Sequence, residues 1–108
     1  MCQPDTTELG ARANVKPEVF DVIQDIARRR NVSRVLLYGS RARGTSQPRS
    51  DIDLAAEGGD VLNFSFDVDE QTPTLLRFDI ANLDTLGNTE LRSDIARDGV
   101  VVYDLAQA

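Results

Sequence analysis

Histidine is absent from the 108 residues, and cysteine occurs once, at Cys2. Without imidazole there is no His general base, no Ser-His or Cys-His nucleophilic pair and no imidazole zinc site. One thiol makes neither a thiolate zinc site nor an internal disulfide, so any metal bound here is a hard cation held by oxygen. No apolar run approaches the roughly 18 residues of a membrane-spanning helix. A basic start followed by an apolar segment is also missing, so the expectation is a cytoplasmic protein with no membrane association. Cations are short as well: twelve Lys plus Arg stand against eighteen Asp plus Glu, for a net charge of −6. That balance disfavours direct nucleic-acid binding, which needs clustered cations, and favours a charged small molecule or a protein partner.

With 41% hydrophobic and 28% charged residues, the chain has the composition of one globular domain. Its charge is uneven. Residues 1–50 hold nine Lys or Arg against five Asp or Glu, net +4, and residues 51–108 hold three against thirteen, net −10. Residues 1–15 are polar without periodicity and read as a flexible N-terminal tail, with a domain over 16–108. Pro17 suits a first helical turn, and Val19, Val22, Ile23, Ile26 and Ala27 recur on one helical face. Arg28, Arg29 and Arg30 favour the negative end of that helix, and Asn31 suits a left-handed cap. Val35-Leu36-Leu37-Tyr38 predicts a buried strand ending at Gly39. Residues 39–50 are turn-rich and basic, and Asp51 to Ala55 alternates as a half-buried strand. After Gly58-Gly59, residues 60–70 fit either period, with helix preferred. Leu75 to Ala81 predicts a third strand, with Phe78 and Ile80 on one face and Arg77 and Asp79 on the other. A helix carrying Leu91 and Ile95 up to Gly99, and a last strand from Val100 to Tyr103, complete an α/β (α+β) pattern: a small mixed β-sheet flanked by helices.

Gly39-Ser40, ten residues, then Asp51-x-Asp53 is the chemically informative spacing. Residues two apart on a strand project from one face, about 6.5–7 Å apart, so Asp51 and Asp53 can share a target. Such carboxylates repel unless a cation lies between them, and magnesium is the simplest one. With a third carboxylate the pair could hold two Mg²⁺, the arrangement that serves phosphoryl and nucleotidyl transfer. Asp79, inside an apolar strand and opposite the hydrophobic face, is the best third ligand. Gly39 permits close backbone approach to a phosphate, Ser40 offers its hydroxyl and N–H, and Arg41 or Arg43 could fork onto phosphate oxygens. The segment is no P-loop, because Thr45 stands where the phosphate-binding Lys would be.

Leu36 to Gly44, Ser50-Asp51-Ile52-Asp53-Leu54-Ala55 and Phe78-Asp79-Ile80 together resemble the minimal nucleotidyltransferases of the DNA polymerase β superfamily. Asp98-Gly99-Val100-Val101-Val102-Tyr103 is similar to that family's last strand, and the likeness covers residues 17–104. It implies a polymerase β palm-like fold, two Mg²⁺ ions, and transfer of a nucleotidyl group from a nucleoside triphosphate, ATP above all, to a hydroxyl. Asp51, Asp53 and Asp79 take the catalytic and metal-binding places, and Gly39 and Ser40 the nucleotide-binding place. Many such short proteins are encoded beside a helical HEPN-type partner, acting as antitoxins that adenylylate one of its tyrosines. A non-catalytic antitoxin-like subunit that neutralises its partner by occlusion is the alternative, and nucleotide sensing without transfer a third.

Overall fold

The computed structural model describes residues 3–107. Pro17 opens helix α2 (Pro17–Arg29), whose Val19, Phe20, Ile23, Ile26 and Ala27 are buried. Each large side chain among them contributes roughly 1.5–3 kcal/mol of apolar burial, which outweighs the modest helix propensity of Val, Ile and Phe. The helix stops at Arg29, and Asn31 turns the chain at a φ of 57°. Strand β1 (Arg34–Tyr38) follows, then a short helix α3 (Gly39–Arg43) and strand β2 (Ile52–Glu57). Helix α4 (Val61–Gln71) starts where the Asp60 carboxylate caps the Asn63 N–H, so the ambiguous 60–70 stretch is helical as preferred. Strand β3 (Phe78–Asn82), helix α5 (Thr89–Asp98), strand β4 (Val100–Asp104) and a 3₁₀ turn at Leu105–Gln107 complete the order.

The four strands form one mixed sheet in the order β3-β2-β1-β4, antiparallel except for the parallel β2–β3 pair. Alternation along the strands divides the core. Val35, Leu37, Ile52, Leu54 and Ala56 face α2 and α4, while Leu36, Tyr38 and Ala55 face Ile95 of α5. The second layer is thinner, and the catalytic-type residues stand on its side of the sheet. Among the described residues no helix is long and apolar enough to cross a membrane.

Two expectations are corrected. Residues 6–13 are no flexible tail: helix α1 (Thr6–Ala13) is capped by the Asp5 carboxylate on the Thr7 N–H, and its Leu9 and Ala13 enter the main core. Only two apolar side chains of eight residues face inward, too few to show a period in the sequence. Gln3 adds a two-way hydrogen bond to the Asp104 backbone, both distances 2.8 Å; residues 1–2 of the expected tail lie outside the described residues. The third strand is also shorter than its apolar run. It begins at Phe78, where pairing with Ile52 begins, and Leu75 is fully exposed in the bend after Pro73.

Candidate active site

Gly39 and Asp53 define the centre of the site. Antiparallel pairing sets Tyr38, the last residue of β1, opposite Asp53, and parallel pairing sets Asp53 opposite Asp79. A row Tyr38, Asp53, Asp79 therefore runs across three strands, and Asp51 lies just ahead of β2. Gly39 adopts a φ of +75°, and a Cβ built there would collide with Asp53 Oδ2. Both the turn and the close approach of the carboxylate thus demand glycine.

Charge in this row is uncompensated. Burial, then the negative charges of Asp79 and Asp51, push the Asp53 carboxyl above its usual range; Arg43 and Arg41 oppose the shift more weakly. Tyr38 is buried beside the same carboxylates, and burial followed by Asp53, Asp79 and Asp94 pushes its phenol up to about 12. Neither Tyr38 nor Asp94 emerged from the motif. The signal for Tyr38 in the sequence was only its place at the end of a strand before Gly39, since the register that sets it opposite Asp53 comes from the β1–β2 pairing.

Asp53 and Asp79 are brought side by side, and Asp51 lies near enough to act on Asp53, but no three carboxylates among the described residues close into a ready cation cage. The donor set still suits Mg²⁺: it consists of carboxylate oxygens alone, and their mutual repulsion has the sign that a cation cancels. The acceptable geometry is therefore open rather than preformed, completed by substrate oxygens and water as magnesium sites commonly are.

The two arginines separate. Arg41 as a phosphate ligand is corrected: its side chain is 1% exposed and committed to backbone carbonyls. Nη1 donates to Ala13 O at 2.7 Å, and Nη2 and Nε donate to Ser50 O at 2.7 and 3.0 Å, which joins α1 to the loop ahead of β2. Desolvation lowers its pKa, yet five donors on one planar group make it the side chain best able to satisfy several carbonyls at once. Arg43 is half exposed and ion-paired with Asp98 at 2.8 Å, linking α3 to α5. Ser40 is half-buried, and its carbonyl accepts the Thr45 N–H at 2.9 Å, closing the turn.

Comparison with known proteins follows the same lines. A toxin–antitoxin crystal structure with AMP-PNP superposes with a TM-score of 0.65 at 21% identity, covering 82% of this chain and 75% of that one. The MntA-HepT toxin–antitoxin structure gives 0.61 at 17% identity, covering 85% and 75%. A protein assigned as a minimal nucleotidyltransferase gives 0.60 at 24% identity, covering 90% and 95%. At these identities the likeness establishes the fold. No curated protein matches the sequence significantly. The family described as Polymerase beta, Nucleotidyltransferase matches residues 21–108, from α2 through the Gly-Ser turn and the row of aspartates to the end of the chain, and this chain belongs to that family as a nucleotidyltransferase.

Proposed function

We propose that this chain transfers AMP from ATP to a hydroxyl, the acceptor being a tyrosine of a helical HEPN-type partner encoded nearby, and that it does so in the cytoplasm. The row of Asp53 and Asp79, with Asp53 packed closely against Gly39, carries the reading. Asp51 and Asp53 would hold two Mg²⁺, and Asp79 one of them. Bound there, Mg²⁺ would neutralise the triphosphate and the charge developing in transfer. Gly39 and Ser40 lie against the phosphates, and Arg43 adds a cation by exchanging Asp98 for a phosphate oxygen. The acceptor oxygen bonds to the α-phosphorus as the α–β anhydride bond breaks, pyrophosphate departs with the electron pair, and the hydroxyl proton passes to Asp79. Positioning and charge neutralisation supply the rate. The toxin–antitoxin neighbours support a partner of this kind.

One observation favours a second reading. The three carboxylates do not close around a common point, which suits a subunit that neutralises its partner by occlusion alone. Purification with the neighbouring gene product, followed by ATP and Mg²⁺ and intact-mass spectrometry, separates the two. Mass added to the partner, absent with Asp53→Asn, supports transfer; an unmodified stable complex supports occlusion. Transfer to a small hydroxyl compound with no complex formed would overturn the protein partner.

A further inference from the structure

Of the twelve cationic side chains, nine are engaged: Arg12, Arg41 and Arg92 with backbone carbonyls, the other six with carboxylates. The remaining three, Lys16, Arg49 and Arg77, have no partner among the described residues, although the chain carries eighteen carboxylates. All three are exposed, and all three line a single cavity of about 1170 Å³ between the start of α2, the loop ahead of β2 and the segment ahead of β3. Three like charges gathered at one place repel, an arrangement that is relieved by an anionic occupant. The cavity also reaches Asp51, while Val19 and Leu76 contribute apolar wall. Neither Gly39, Ser40 nor Arg43 lines it, so it is separate from the phosphate-binding turn.

We propose that this cavity is the acceptor subsite, and that it takes a hydroxyl-bearing peptide segment rich in carboxylates. The inference rests on the nucleotidyl transfer proposed above and adds the chemical class of the acceptor. Lys16, Arg49 and Arg77 receive the carboxylates, the apolar wall receives an aliphatic or aromatic neighbour, and the opening at Asp51 directs the hydroxyl toward the aspartate row. A nucleic-acid acceptor fits less well, because no aromatic side chain lines the cavity to stack a base. Arginine suits the role at two of the three positions, since its planar fork pairs with a carboxylate through two parallel hydrogen bonds.

The test uses the full chain and three fluorescein-labelled probes followed by fluorescence anisotropy: the peptide Glu-Glu-Leu-Tyr-Glu-Glu, its counterpart Lys-Lys-Leu-Tyr-Lys-Lys, and an oligouridylate. The acidic peptide is expected to bind in preference to the other two. The double variant Arg49→Ser with Arg77→Ser, both exposed side chains, is expected to weaken it by about tenfold or more while ATP affinity with Mg²⁺, measured by calorimetry, stays unchanged. Lys16→Glu should weaken the acidic peptide and improve the basic one. Equal binding of both peptides, preference for the oligouridylate, or loss of ATP affinity in the double variant would each overturn the assignment. Acidic-peptide binding without AMP transfer to its tyrosine supports the cavity and counts against the transfer reading. AMP transfer to some other acceptor, with no acidic-peptide binding, counts against the cavity alone.

Discussion

Burial and its aspartate neighbours make the charge of Asp53 unfavourable in the free chain. Its carboxyl is raised, so the folded state binds a proton more readily than the unfolded one, and the apo protein gains stability from this group as pH falls through the raised range and loses it as pH rises. Asp53→Asn should therefore raise the apo melting temperature at neutral pH by roughly 2–4 °C, the response of a domain near this size to about 0.5 kcal/mol. The difference from the native chain should shrink as the pH is lowered, because protonation then does what the amide does. Transfer should be lost in the same variant. A drop in the apo melting temperature would instead make Asp53 a structural residue. Arg41 is the opposite case, a charge on which folding depends. Arg41→Lys replaces a five-donor fork with a point charge and leaves the Ala13 and Ser50 carbonyls short of partners, at about 2 kcal/mol of stability by urea denaturation. ATP affinity at temperatures where that variant is folded should be unchanged. Weakened ATP binding with unaltered stability would return Arg41 to the phosphates.

Among the elements, α1 changes most between sequence and structure. Eight residues are too few to form a stable helix in water, so α1 exists because the core covers it. Leu9, 4% exposed, and Ala13 anchor it, and Arg41 holds its C-terminal end by bonding Ala13 O. Leu9→Ala should cost about 2–4 kcal/mol in urea denaturation, as expected for a leucine deleted from a packed interior. A loss under about 0.5 kcal/mol, the scale of a surface change, would mean that α1 is a loose appendage after all. The element-level readings that held were those with several apolar residues in register: α2 from Val19, Val22, Ile23, Ile26 and Ala27, of which all but the partly buried Val22 enter the core, β1 from four consecutive apolar residues, α4 from Val61, Phe64 and Val68.

At the scale of the molecule, a basic first half and an acidic second half are folded against each other. Arg30 pairs with Asp67 at 2.7 Å, Arg34 with Glu57, and Arg43 with Asp98. Three cations of the basic half are thereby paired with the acidic half, while Lys16, Arg49 and Arg77 line one cavity and, among the described residues, Asp51, Asp53 and Asp79 stand without a cation partner at the aspartate row. Such a molecule should respond to metal and nucleotide jointly. Mg²⁺ with ATP, at one hundred times Kd, should stabilise the fold by about 2.7 kcal/mol in a thermal melt, with each alone giving much less. Equal stabilisation by ATP without a divalent cation would remove the metal from the aspartate row.

Composition and spacing alone were enough to exclude imidazole and thiolate chemistry, to order the strands and every helix but the short α3 from Pro17 onward, and to single out Gly39, Ser40, Asp51, Asp53 and Asp79. These properties are local: hydrophobic period, turn residues and the two-residue pitch of a strand all act within a few positions of each other. Tertiary structure decided what depends on distant partners. The fate of Arg41 rests on carbonyls at Ala13 and Ser50, the place of α1 on a core contributed by α2, and the exposure of Leu75 on where β2 stops pairing. Lys16, Arg49 and Arg77 lie far apart in the chain, and only the meeting of α2, the loop ahead of β2 and the segment ahead of β3 puts their three charges around one space.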